Sequence, residues 1–176
     1  MQNIRRIVTG HDAQSRSNIT FNGDAANVLD SPAWPGSRVT ELWVTEETPV
    51  DNTGLIDRGA RPIRHDPTPG GTIFRVVEIP PESKSKIDSA AAFADIGSTR
   101  VPSAEDSAKH PSMHVTDTVD YLVVISGQMH MLMEDGEVLL KAGDCIVQRG
   151  TKHAWANRSD APCVMAAILV DAHAVV

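Results

Sequence analysis

The spacing of turn formers constrains this chain more than any other feature. Twelve glycines and eleven prolines are spread through 176 residues, and they cut the sequence into short runs rich in β-branched and aliphatic side chains. No stretch carries apolar residues at helical spacing over many turns, so a helical bundle is excluded. The runs at 4–9, 18–21, 39–45, 72–79, 120–126, 129–134, 137–141, 144–148 and 163–170 read as strands. Asp135-Gly136 stands between two of them as a tight-hairpin signal, and Lys141-Ala142-Gly143-Asp144 marks a second turn. Many short strands with frequent turns predict an all-β sandwich or barrel.

One stretch departs from this pattern. Residues 83–112 are polar, and within them 87–97 combines helix-forming alanines with a glycine stop. A long insertion of this kind is a lid, a partner-binding segment or a surface loop. Roughly the first 60 residues have weaker strands and more loop, and 62–71 (PIRHDPTPGG) reads as a linker. No shift of composition separates two domains. The expectation is one domain over 1–176, with an N-terminal extension of strands at 1–70 and a barrel at 71–170.

Sixteen basic against twenty-three acidic side chains leave a formal charge of −7. No basic cluster interrupts that balance, which argues against nucleic acid or an anionic membrane as partner. The N-terminus has two arginines and no signal-like apolar stretch, and the longest apolar run, 164–170, is far short of a membrane span. Two cysteines, Cys145 and Cys163, make no disulfide framework and no spaced zinc motif. Both are expected in the core of a cytoplasmic protein.

Chemistry concentrates in two clusters, 110–127 and 143–157. When antiparallel strands close into a barrel, a histidine at the start of one strand and another near the end of a later one can face the same hollow. Period-two alternation directs His114, Thr116 and Asp120 to one side and Val115 to the other. Two imidazoles and a carboxylate, His114, His153 and Asp120, suit a divalent first-row metal with open positions. Without metal, His153 and Asp120 remain as an acid–base pair.

These two clusters resemble the paired sequence motifs of the cupin superfamily. The first motif falls on His114, Thr116, Asp120 and Gly127, and the second on Gly143, Gly150, His153 and Asn157. The resemblance covers about 72–170. It implies a cupin-type double-stranded β-helix, a jelly-roll barrel, here with N-terminal extra strands and a short helical insertion. Three departures stand out. Thr116 occupies the second histidine position, Asp120 replaces a glutamate, and Gln148-Arg149 stands where proline is usual, with one residue fewer before the turn.

The same resemblance implies a small-molecule site. The expected metal ligands are His114, Asp120 and His153, with iron, zinc, manganese and nickel all open and no organic cofactor. Thr116, Trp155 and Asn157 are expected to line the pocket, and His153 and Asp120 to be catalytic. The expected function is a small-molecule enzyme acting on an organic acid, carbonyl or phenolic compound, with oxygenase, isomerase, lyase and hydrolase unresolved. The alternative is a metabolite-binding cupin without metal or catalysis. The resemblance also implies a homodimer, with the N-terminal strands available to cover a partner's sheet edge.

Other side chains take plainer roles. Alternation turns Tyr121 away from Asp120, sets Met129, Met131 and Met133 inward, and leaves His130 on the surface or at a subunit contact. His110 reads as a loop residue, and His11, His65 and His173 receive no role.

Overall fold

The computed structural model describes residues 3–98 and 100–175. Among them are β1 (Arg5–His11), β2 (Ser17–Asp24), β3 (Val28–Asp30), β4 (Arg38–Thr45), β5 (Thr72–Ile79), α1 (Ser89–Asp95), α2 (Ala104–Lys109), β6 (Thr118–Ser126), β7 (Gln128–Met133), β8 (Glu137–Lys141), β9 (Cys145–Arg149), β10 (His153–Ala156) and β11 (Cys163–Asp171). The fold is all-β, as the turn spacing predicts. A six-stranded sheet in the order β3-β4-β5-β11-β6-β9 faces a three-stranded sheet, β10-β7-β8, while β1 and β2 pair by themselves. The paired strands within each sheet are antiparallel.

Alternation decides which side chains fill the space between the sheets. β6 buries Thr118, Asp120, Leu122 and Val124 while exposing Tyr121 and Val123. From the opposite sheet come Met129, Met131 and Leu140, which pack with Ile79, Val124, Cys163 and Met165. Met129 and Met165 have no exposed surface, and burying each such side chain contributes about 1.5–3 kcal/mol. A second cluster of Val44, Ile73, Leu122, Ala167 and Leu169 continues the core towards the other end.

Two glycines show why the turns need glycine. Gly136 takes φ +88° in the β7–β8 hairpin, where Met133 N–H donates to its carbonyl at 2.9 Å. Gly127 takes φ +79° between β6 and β7, and a Cβ there would sit 2.5 Å from the Pro162 carbonyl oxygen. Alanine at 127 therefore meets both strain and collision.

Several details differ from expectation. The short strands β3 and β10 and the helix α2 carry too little periodicity to be picked out, although Ser103 caps α2 by accepting from Asp106 N–H. Part of the first 70 residues is not an appendage: β3 and β4 are built into the six-stranded sheet. The β1–β2 hairpin is held through Ile4, which packs on Ala25, Leu42 and Val76. Cys163 is buried as expected, but Cys145 is exposed, because β9 is the sheet's edge strand and Cys145 opens it. No helix among the described residues is long and apolar enough to cross a membrane.

Candidate functional site

His114 and His153, distant in sequence, meet across an isolated antiparallel bridge. Each backbone N–H donates to the other's carbonyl at 2.9 Å. Directly opposed residues project to the same face, and the two imidazole centroids are 4.3 Å apart. His114 Nδ1 lies 2.7 Å from the Ser112 carbonyl oxygen and His153 Nδ1 2.9 Å from that of Thr151. A carbonyl can only accept, and the Gln148 amide, 3.1 Å from His153 Nδ1, has Thr151 O and Oγ1 to take its two hydrogens, so both rings carry their proton on Nδ1, leaving Nε2 as the lone-pair edge. Main-chain carbonyls thus set the tautomer of both rings.

Both rings line a cavity of about 160 Å³ between the sheets. Asp120 lines the same cavity from β6, and its Oδ1 is buried with no hydrogen-bond partner. Leu122, Met165, Ala167 and Leu169 form an apolar wall, and Val77, Ile79 and Trp34 extend it. The insertion lines a further side. Ile87, Ala92, Phe93 and Ile96 face the cavity, and the Phe93 ring is 5.3 Å from that of His114. Asp88 caps α1 by accepting from Ala91 N–H, Ser31 Oγ donates to Asp95 at 2.6 Å, and Lys152 ties α2 to the barrel through Asp106 at 3.0 Å. The insertion is therefore a packed cover over the cavity.

Burial governs the site's electrostatics. It pushes Asp120 up to about 6, against the opposing pull of the Thr118 hydroxyl, His65 and Arg75. It pulls His153 down to about 4, opposed by the Thr151 carbonyl. His114 is held well below the usual imidazole range by burial and then by its neighbours His153 and His65. Both imidazoles are consequently neutral at physiological pH.

The expected trio thus lines one cavity, but its members are not equally close. His114 and His153 are adjacent, whereas no group of three or more His, Cys, Asp or Glu among the described residues is disposed to hold a metal ion. The donor types suit a divalent cation; their placement supplies a pair of imidazoles and a separate carboxylate. Thr116 lines the cavity too, with its hydroxyl engaged by Thr118 Oγ1 at 2.7 Å. Trp155 lines it, edge-on to His153 at 5.2 Å. Asn157 does not belong with them. It is fully buried, donates to the Ile79 and Ala161 carbonyls and accepts from Ser159, so it clasps the β10–β11 turn. His110 lies away from the pocket, paired with Glu82 at 2.6 Å, and Tyr121 is half exposed on the outer face.

His65 and Arg75 are among the cavity residues that the sequence did not reveal. His65 is buried, with its ring 5.2 Å from that of His114 and 5.4 Å from that of Phe93. Its Nδ1 lies 3.0 Å from Asp66 Oδ1 without making a hydrogen bond. Arg75 lines the cavity floor from β5, where Nη2 donates to Glu41 Oε2 at 3.0 Å and to the Arg64 carbonyl. The signal for Arg75 was available: it occupies the same strand face as Ile73 and Ile79.

Residues 99–170 match the family model of the cupin domain, Cupin_2. Phomopsin biosynthesis cluster protein C' of Diaporthe leptostromiformis is 30% identical over 161 residues, covering 88% of this chain and 70% of the relative. The cupin-domain-containing oxidoreductase fogC of Aspergillus ruber is 26% identical over 162 residues, covering 89% of this chain and 66% of the relative. Among solved structures, a cupin-2 domain containing protein from Shewanella frigidimarina aligns with a TM-score of 0.35 at 18% identity, over 55% of this chain and 68% of its own.

Proposed function

The chain belongs to the cupin superfamily, and from that premise we propose that it is a small-molecule enzyme whose reaction takes place at the His114, His153 and Asp120 end of the barrel cavity. The observation that carries this reading is the unpartnered Asp120 Oδ1. A buried acceptor left without a partner costs about 1–3 kcal/mol, and such a cost in a mostly apolar cavity is what a site for ligand looks like. Asp120, pushed up to about 6, is poised to exchange a proton near neutral pH. The neutral His153 accepts at Nε2 while the Thr151 carbonyl holds its other edge. These groups support proton transfer to or from a substrate oxygen or its neighbouring carbon. The relative fogC carries the name of an oxidoreductase, which is consistent with a reaction in which such a proton moves.

A divalent metal ion is the second form of the same reading. His114, His153 and Asp120 would hold it, and when bound it would supply Lewis-acid polarisation of a substrate oxygen. Although His65 stands beside His114, no three such side chains among the described residues converge on one point, and the proton-transfer form is preferred. A non-catalytic metabolite binder is favoured by one observation, the threonine at the second histidine position with its hydroxyl already engaged.

The experiment is a turnover screen of small oxygenated ring compounds, organic acids and carbonyls, run beside metal analysis of protein purified without chelator. The expected result is conversion of at least one compound by the wild type, lost about 100-fold or more in Asp120→Asn. Undiminished conversion by that variant contradicts the assignment. Ligand-induced thermal stabilisation without any turnover supports the binder instead.

The outer face of the six-stranded sheet supports a homodimer. Val147, Tyr121, Ile168 and Phe74 are cross-strand partners on β9, β6, β11 and β5, and all four are exposed. A row of this kind is a surface that a second copy would cover. Tyr121→Lys is expected to shift sedimentation to the monomer, and an unchanged dimer would remove this face from consideration.

A further inference from the structure

The hydrogen bonds around the cavity restrict what its ligand can be. Three buried groups face it as acceptors. His114 and His153 have spent their N–H groups on the Ser112 and Thr151 carbonyls, and Asp120 Oδ1 accepts from nothing. Of the hydroxyls near the lining, Ser31 Oγ donates to Asp95 and Ser112 Oγ is engaged with His110 and the Trp155 N–H, while Thr116 and Thr118 share a single hydrogen bond that leaves one of their two protons free. Two arginines reach the lining and both are paired, Arg38 with Asp30 at 2.6 Å and Arg75 with Glu41 Oε2 at 3.0 Å. Arg75 Nε remains a buried donor without partner, on a guanidinium already balanced. The polar end of the cavity is therefore rich in lone pairs and poor in net positive charge.

Size and shape narrow the ligand further. A volume of about 160 Å³ is on the order of the roughly 150 Å³ apolar cavity that takes up one benzene ring. One wall is a run of rings, with Phe93 and His65 each packed against His114 at 5.3 and 5.2 Å and Trp155 against His153 at 5.2 Å. Leu122, Met165, Ala167 and Leu169 add aliphatic surface to the lining. Flat apolar bodies pack well on such surfaces.

We propose that the ligand is a single uncharged six-membered ring carrying a hydroxyl, a phenol or an enol, whose O–H donates to the acceptor group of His114, His153 and Asp120. This deepens the reading of the cavity as a small-molecule site and rests on it. A ring carboxylate is disfavoured, because it would bring a second set of acceptors, and negative charge, against Asp120. A ring ether of the same size is disfavoured because it leaves all three acceptors unpaired.

Calorimetric titration of the full chain with phenol, anisole and benzoate, in the presence of EDTA, separates these cases. Phenol is expected to bind about tenfold or more tightly than anisole or benzoate, the ratio expected when a hydrogen bond to a charged or buried acceptor is lost. In Asp120→Asn the preference for phenol over anisole is expected to fall by about threefold or more, since an acceptor is lost and the new amide N–H can donate to the ether oxygen, and a melting temperature no lower than that of the wild type reports an intact fold. Anisole or benzoate binding as well as phenol overturns the proposal and leaves the small-molecule site standing. Phenol binding only after zinc or ferrous iron is added overturns it in favour of a metal-held ligand. Absence of binding by all three rings overturns both this proposal and the reading it rests on.

Discussion

Two carboxylates are buried from the same six-stranded sheet and are treated in opposite ways. Glu41 on β4 has no exposed surface, and Asp120 on β6 is 6% exposed. Glu41 lies between two guanidiniums, with Arg75 at 3.0 Å and Arg61 at 3.4 Å. One oxygen of each carboxylate makes no hydrogen bond, but Glu41 Oε1 still faces Arg61, whereas Asp120 has no ion-pair partner among the described residues. Burial raises both carboxyls, but at Glu41 the arginines pull back. The difference separates a charge that the fold neutralises for itself from one left open towards a cavity. The first holds β4 to β5; the second is available to a ligand.

Removing the charge should therefore hurt at one site and help at the other. Glu41→Gln strands two buried guanidiniums, and a loss of about 3–5 kcal/mol in chemical denaturation is expected. A loss under about 1 kcal/mol would mean that the arginines find water, and the contrast would fail. Asn157→Ala removes donors and acceptors that close the β10–β11 turn, and about 2–3 kcal/mol should go with them. Ligand affinity should not change, since Asn157 clasps a turn outside the cavity lining; a large fall in affinity would return it to the site.

The pH dependence of stability sharpens the contrast by sign. His153 and His114 have folded pKa values below the ordinary 6.5, so between about pH 4 and 6.5 the unfolded chain binds more protons. Their contribution is present above pH 6.5 and is lost as the pH falls towards 4. Asp120, raised from 3.8 to about 6, acts in the opposite sense: the folded chain holds the proton, and stability is lost as the pH rises through about 6. Two imidazoles outweigh one carboxyl, so wild-type stability should increase from pH 4 to 6.5. In the His114→Gln, His153→Gln double variant the rise should flatten by the imidazoles' share. Melting temperatures across that range provide the check. The smallest effect is that of Asp120→Asn, which should gain about 1–2 kcal/mol at pH 7 by removing a buried, unpaired charge.

The parts that could be read ahead of the structure were those carried by local pattern. Alternation located the strand containing Asp120 and set Tyr121 outward, and Asp135-Gly136 marked its hairpin because that turn needs positive φ at glycine. The His114 and His153 pairing followed from two motifs falling in order. His65 was hidden because 62–71 has no periodicity: a histidine among prolines looks like linker, and only tertiary packing against Phe93 and His114 brings it inside. Arg75 was masked by the habit of reading an arginine as solvent-facing, although its strand face says otherwise. Asn157 was misplaced because its motif position carries no information about which groups it bonds. Cys145 was misplaced because burial depends on strand order, and edge position is not written in a single strand.

The central claim is that His114 and His153 present Nε2 lone pairs to the cavity from neutral, backbone-fixed rings. Nitrogen-detected NMR of the two imidazoles at pH 6 tests it directly. The structure predicts both rings neutral with the proton on Nδ1, and a shift of the Nε2 resonances on adding phenol. Imidazolium spectra at that pH, or protons on Nε2, would contradict it.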